Sequence, residues 1–286
     1  MKILVVGGTG TVGSEVVRQL KTRNETVFVL TRSPEHAKTL PPGVHGMVGD
    51  LLDPSTLGVF KGFDAVFLLN PVSTTEVFEG LLGVNAARDG GAKRIVYLSV
   101  HHLDQAPHLP HFGGKIGVEA AVMKSGMQWT IVRPNNFYQN DFWFKEAMLN
   151  YGVYPQPLGN AGTSRVDVRD IAEVAVLALT TDGHNGKIYN LVGPDPVTGE
   201  STAAEWSRAL GKAVKYAGDD LDAWEAQQRA YLPPSMLYDF KQMYAFFQKN
   251  GFKGTAADVA LLTKLLGHAP RSFAAYAKEM AAEWEA

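Results

Sequence analysis

The stretch KILVVGGTGTVGSEVVRQL, residues 2–20, places four glycines in seven positions between an apolar run and a helix-like pattern. Ile3 to Val6 is an uninterrupted β-branched and leucine run, as expected of a parallel strand buried on both faces. From Val12 onward Val12, Val16, Val17 and Leu20 recur at helical spacing, with Ser14, Glu15, Arg18 and Gln19 between them. The glycines therefore fall at a strand-to-helix turn. Two registers fit: Gly7, Gly10 and Gly13 read G-x-x-G-x-x-G, while Gly8, Gly10 and Gly13 read the G-x-G-x-x-G of dinucleotide folds. Either one exposes backbone N–H groups and the positive end of a helix where a pyrophosphate can rest.

Outward from this turn the first half of the chain alternates. The segments 26–31, 44–49, 64–70, 94–100 and 128–134 read as strands, each separated by a stretch able to carry a helix. Such alternation predicts an α/β fold with a doubly wound parallel sheet of the Rossmann type. Beyond Pro134 come the aromatic and Asn-rich NNFYQNDFWF, a Gly/Pro-containing stretch at 152–162, the helical DIAEVAVLAL and a strand-like KIYNLVG. From Ser201 the pattern is mostly helical. These features predict a dinucleotide-binding domain over 1–150 and a smaller, mostly helical C-terminal lobe over 151–286, folded against the sheet's carboxyl edge, with the chain returning once to the sheet.

Composition removes several classes. With 27 Lys+Arg against 29 Asp+Glu the formal net charge is −2, so nucleic acid is not an expected partner. The absence of cysteine excludes disulfides, thiolate catalysis and Cys-based metal sites. No apolar stretch reaches the roughly 18 residues that span a bilayer, and the first strand begins too early for a signal peptide. A cytoplasmic protein is expected; its oligomeric state is open and compatible with a homo-oligomer.

The tip of the second strand selects the cofactor. NAD-specific folds place an Asp or Glu there for the ribose 2′-hydroxyl. Here Thr31, Arg32 and Ser33 occupy the tip, and a guanidinium flanked by hydroxyls is matched to a 2′-phosphate. NADP, with NADPH preferred over NADH, is the expected cofactor. No second nucleotide signature implies a flavin. Asp50, closing the third strand, either touches the adenine or caps the succeeding helix; Asp53 before Pro54 reads as a cap.

The segments VVGGTGTVG, TRSPEHA, GDLLDPSTL, YLSVHH, HFGGKIGVEAAVMKSGMQWTIVRPNNFYQN and LLGHAPRSFAAYAKE together resemble the atypical short-chain dehydrogenase/reductases of the NmrA-like family. The likeness is strongest to its bacterial NADPH-dependent quinone and dye reductases. It implies that Gly7, Thr9, Gly10, Thr11, Val12 and Gly13 hold the pyrophosphate and Arg32 the 2′-phosphate. It further implies Asp50 and Leu51 at the adenine, Asn70 and Pro71 at the ribose, and Lys115 at the nicotinamide ribose. Pro134, Asn135 and Phe137 would line the nicotinamide end. Ser99 stands where ordinary members place a substrate-orienting Ser.

One departure bears on the chemistry. Ordinary short-chain dehydrogenases use a Tyr with a Lys four residues later as a proton-transfer couple, and no Tyr of this chain has that Lys; the slot reads His111-Phe-Gly-Gly-Lys115. Two readings are open. The chain reduces an acceptor already electron-poor, such as a quinone or dye, with Lys115 at the reaction centre and His111 or solvent supplying the proton. Alternatively it is an inactive NADP(H)-binding redox sensor acting through a protein partner. Phe137, Tyr138, Phe142, Trp143 and Tyr151 would build a flat pocket for a planar acceptor, or else an interface between the lobes.

Other clusters read as ordinary structure. His101, His102, His108 and His111 show no standard zinc-ligand spacing, so no metal is expected. Lys115 and Glu119, four apart on a helix, read as a surface ion pair apart from any role at the cofactor. Asp170 reads as a helix N-cap, with Arg165 and Arg169 neutralising Asp167 and Asp170.

Overall fold

The computed structural model describes residues 1–285. The chain begins β1 (Lys2–Val6), α1 (Thr11–Thr22), β2 (Thr26–Thr31), α2 (Pro34–Lys38), β3 (Val44–Val48), β4 (Ala65–Leu68), α3 (Glu76–Asp89), β5 (Arg94–Leu98), α4 (Pro110–Met123) and β6 (Gln128–Pro134). It continues with α5 (Lys145–Tyr151), β7 (Val153–Tyr154), α6 (Val168–Thr180), β8 (Lys187–Leu191), α7 (Gly199–Ala209), β9 (Lys215–Tyr216), α8 (Leu221–Gln228), α9 (Pro234–Asn250), α10 (Ala256–Leu266) and α11 (Phe273–Glu285). Two short 3-10 segments, Pro54–Phe60 and Tyr138–Phe144, lie between these elements.

A seven-stranded sheet runs β3-β2-β1-β4-β5-β6-β8, and the pairings from β3 through to β6 are parallel. The Rossmann-type α/β fold expected from the alternation is therefore present. β1 is buried from Ile3 to Val6 because it lies between β2 and β4, with Ile3 opposite both Val27 and Ala65. Strand order reverses at the β1/β4 junction, and ligands of such sheets bind beyond the strands' carboxyl ends at this point. On one face the core gathers Leu4, Leu30, Val66, Leu68, Ile95 and Ile131 under Val118 and Val122 of α4.

The chain forms two compact units. The first comprises Met1–Arg133 with Ile171–Tyr189, and the second Pro134–Asp170 with Asn190–Ala286. The first unit thus ends before the expected boundary at 150 and takes back a helix-containing segment later. Arg94, on β5, fastens that returning segment by donating from Nη1 to the carbonyls of Leu179 and Thr181 at 2.9 and 2.8 Å.

The second unit is built around a buried charge. Arg165 and Asp141 are both fully buried and meet at 2.7 Å. Asp141 also accepts from the Tyr154 hydroxyl (3.0 Å) and from Trp206 Nε1 (2.8 Å), while Arg165 donates to the Phe137 carbonyl (2.7 Å) and Asn136 Oδ1 (3.0 Å). This pairing corrects the expected one for Arg165 and Asp170, while Arg169 pairs with Asp167 as expected. Arg165 neutralises Asp141, Arg169 binds Asp167 and Glu279, and Asp170 takes the Arg271 guanidinium and backbone N–H. Asp170 is not the cap of α6 either: the helix opens at Val168, and the Asp167 carboxylate accepts the Arg169 N–H at 2.9 Å. Tyr138, expected beside an acceptor, is packed in the core of this unit against Phe273 and Tyr276, its hydroxyl donating to the Arg271 carbonyl.

Two substitutions probe these supports by urea unfolding. A Cβ at Gly13 would lie 2.0 Å from the Gly7 carbonyl oxygen, so Gly13→Ala is expected to cost about 1–3 kcal/mol through forced backbone movement. Arg165→Met leaves Asp141 buried without its cation, and a loss of about 3–5 kcal/mol is expected.

Candidate functional site

The glycine turn resolves the two registers in physical terms. Gly7 has φ +76°, and a Cβ there would meet the Leu69 carbonyl at 2.6 Å. Gly13 lies against Gly7, and Gly10 donates its N–H to the Gly7 carbonyl at 3.1 Å. Gly7 therefore makes the turn and Gly13 lets α1 close onto it. Gly8 is also confined, by Val29. A Cβ at Gly10 would meet nothing closer than 3.5 Å, so at this position the space above the turn is open. Gly10 is the N-cap of α1; no side chain caps that end and no acid occupies its first turn. The N–H groups of a 12-residue helix are left facing outward there.

Neighbouring strand tips supply polar groups to the same edge of the sheet. β4 and β5 pair with Leu68 opposite Tyr97, which carried two residues further sets Asn70 level with Ser99. Asn70 is 4 % exposed with neither amide atom hydrogen-bonded, and Ser99 is 2 % exposed with its hydroxyl likewise without a partner. Buried polar groups are nearly always satisfied, and leaving one unpaired costs about 1–3 kcal/mol. Two such groups at the tips of neighbouring strands, next to the switch point, fit a ligand rich in hydroxyl and amide groups. On the other side, Arg32 follows β2, is exposed, and makes no hydrogen bond or ion pair among the described residues. The residues present therefore fit a dinucleotide with a 2′-phosphate.

The other residues expected here divide. Thr9 and Thr11 are exposed on the turn, Val12 is buried, and Pro71 is exposed beyond Asn70. Thr31 Oγ1 accepts the Ser33 N–H at 3.2 Å, and Ser33 caps α2 by accepting the His36 N–H at 3.1 Å, so both hydroxyls brace the backbone around Arg32. Asp50 accepts the Leu52 N–H at 2.9 Å and holds a turn. Leu51 lies in the core cluster, and Asp53 caps the 3-10 segment after it. The His101 and His102 rings lie against each other, tilted by 31° with centroids 3.6 Å apart, and His102 has φ +54°. Among the described residues no group of three or more His, Asp or Glu could hold a metal ion.

Lys115 departs most from its sequence reading. It is 7 % exposed and ion-paired to Glu76, itself 5 % exposed. Glu119 is buried as well and takes a bidentate pair from Arg133, with N–O distances of 2.9 and 2.6 Å. The expected Lys115–Glu119 surface pair is thus replaced by two pairs with distant partners. Burial pushes the Tyr97 phenol well above its ordinary pKa, and the Glu76 and Glu119 carboxylates push it further. Glu76, Tyr97 and Arg133 escaped sequence reading because an acid in the first turn of a helix or a residue within a strand has an ordinary local explanation. His111 is half-buried on α4, one turn before Lys115, and its ring meets the edge of Phe112.

In the second unit Pro134 and Asn135 are buried. The Asn135 side chain donates to the Phe252 carbonyl and accepts the Asn136 N–H, both at 2.8 Å. Phe137 is half-buried, whereas Phe142, Trp143 and Tyr151 are 60 %, 70 % and 79 % exposed.

The NAD(P)H azoreductase of Xenophilus azovorans is 36 % identical over 289 residues, covering 99 % of each chain. Quinone oxidoreductase 2 of Escherichia coli strain K12 is 29 % identical, with 93 % of this chain and 94 % of that protein aligned. A crystal structure of the NADPH-dependent quinone oxidoreductase QOR2 of Escherichia coli complexed with NADPH has the same fold, with TM-score 0.85 at 24 % identity over 97 % of this chain and 99 % of that one. The model of the NmrA-like family matches residues 1–277, and this chain belongs to that family.

Proposed function

We infer that this protein is an NADPH-dependent oxidoreductase that passes hydride directly to an electron-poor planar acceptor of the quinone or dye class. The observation that carries the cofactor half is the alignment, along one sheet edge, of an uncapped helix N-terminus, an unpaired Arg32 and the unsatisfied Asn70 and Ser99. The names of its relatives, an azoreductase and a quinone oxidoreductase, support the acceptor half.

Gly7, Thr9, Gly10, Thr11, Val12 and Gly13 would offer their turn and the start of α1 to the pyrophosphate, and Arg32 its fork to the 2′-phosphate. Asn70 and Pro71 would border a ribose, with Ser99 and Lys115 at the nicotinamide ribose. NADPH, when bound, supplies the hydride. The chain's own residues then have little acid–base work to do: burial, helped by the Glu76 and Glu119 carboxylates, keeps the Tyr97 phenol protonated, and no Tyr–Lys couple is available to draw a proton from an alcohol. An acceptor that takes hydride readily needs proximity and orientation above all, and His111 or solvent delivers the proton that completes its reduction. In the second unit the exposed faces of Phe142, Trp143 and Tyr151 offer flat apolar surfaces suited to an aromatic acceptor.

The test is oxidation of NADPH and of NADH by the purified protein across simple quinones, azo dyes and cationic dyes, with no added flavin. Turnover that prefers NADPH is expected. Tight NADPH binding with no turnover on any acceptor would instead favour a redox sensor. Arg32→Asp should weaken NADPH binding by about ten- to a hundred-fold, as befits loss of a charge-assisted contact, while NADH changes far less; equal losses would remove Arg32 from the 2′-phosphate. Lys115→Ala should depress turnover with the fold retained by circular dichroism.

A further inference from the structure

Lys115 and Glu76 meet because two helices approach each other over glycines. A Cβ at Gly114 of α4 would lie 2.6 Å from Val77 Cγ2, and one at Gly80 of α3 would lie 2.8 Å from Val118 Cγ2. Any larger residue at these positions would push the helices apart. Their closeness brings the first turn of α3, with Glu76, onto Lys115, and both groups are withdrawn from water. The same contact lies beside the unsatisfied Asn70 at its strand tip, since a Cβ on Gly80 would also come within 3.5 Å of Asn70 Oδ1.

A buried ion pair is a poor way to fasten two helices. Desolvation offsets its Coulombic gain, and apolar side chains of similar volume hold such a contact as well or better. The pair has a reason to be there if one member needs the other in order to act. An ammonium on a flexible four-carbon stem has three donors and no preferred direction. A carboxylate that accepts one of them fixes where the remaining two point. It also balances a positive charge that would otherwise stand uncompensated inside the protein.

We propose that Glu76 is a positioning residue for Lys115: it holds the ammonium toward the nicotinamide ribose and balances its charge, in a chain where no tyrosine stands four residues before the lysine. The proposal rests on the reading of the first unit as an NADPH site. The competing account is local: a carboxylate in the first turn of α3 favours the helix dipole whatever Lys115 does. The two accounts differ in whether the effect of Glu76 passes through Lys115.

A double-mutant cycle separates them. NADPH affinity is measured by nicotinamide fluorescence for the parent, Glu76→Gln, Lys115→Ala and the combined variant, with Glu76→Asp as the conservative rescue. In parallel, acetylation of the Lys115 amine by acetic anhydride is followed by mass spectrometry without nucleotide. Glu76→Gln is expected to weaken NADPH on the order of ten-fold or more, because a misplaced group loses its contact. Glu76→Asp should recover most of the loss, and Glu76→Gln should change affinity by less than about two-fold in the Lys115→Ala background. Lys115 should be acetylated faster in Glu76→Gln than in the parent. Equal losses in both backgrounds, or no loss in either, would overturn the proposal. If the parent binds no NADPH, the nucleotide reading fails, and acetylation alone decides whether Glu76 restrains Lys115: an unchanged rate rejects it. Should Glu76→Gln not fold, Glu76→Asp takes its place in the cycle, and the proposal then requires a smaller loss that again vanishes in Lys115→Ala.

Discussion

The contact between Gly13 and the Gly7 carbonyl is the constraint on which the first unit depends. A side chain at Gly13 would separate the start of α1 from the end of β1, and one at Gly7 would strike the Leu69 carbonyl beyond β4; either change would shift the N–H groups at the start of α1 from their place at the sheet edge. Other parts of the edge inherit their positions from the same strand. β2 carries Arg32 in register with β1 on one side, and β4 carries Asn70 in register on the other. Parallel pairing then extends the line to Ser99 on β5. One close approach of backbone to backbone thus sets the level at which four chemically different groups emerge, and that common level is what makes the edge a candidate site.

Local information was enough for most of this. The strands at 26–31 and 128–134 coincide with β2 and β6, since each is a short β-branched run bounded by breakers. The glycine turn was legible as a turn. Which glycine takes the positive φ was not, because that depends on the Leu69 carbonyl, more than sixty residues away in the chain. Asp170 was read as a cap for an equally local reason. Asp167 three residues earlier has the same chemistry, and the choice between them depends on where the helix opens and on Arg271, a hundred residues on.

Charges were the least legible feature, and for one reason throughout. A helical spacing of four made Lys115 and Glu119 a pair on paper, yet both lie under other elements, where the available partners are Glu76 and Arg133. Arg165 likewise finds Asp141, twenty-four residues before it, because both are enclosed in the second unit. A solvated charge takes a sequence neighbour or none. A buried one must take whichever opposite charge the fold encloses with it, and only the fold says which that is.

That rule also bears on the chemistry. Around Lys115 the enclosed charges are two carboxylates, a guanidinium and an ammonium, already matched as two pairs. Another negative charge formed there, on a phenol or on a substrate alcohol, finds no unmatched cation in this set, and burial with two carboxylates nearby raises the Tyr97 pKa rather than lowering it. Oxidation of an alcohol requires such a charge to develop as its proton leaves. Reduction of a quinone or a dye does not, because the acceptor's own conjugated system spreads the negative charge that hydride brings until a proton arrives. The loss of the tyrosine and the pairing of the lysine therefore point the same way: a site that has given up proton abstraction is left suited to acceptors that need none.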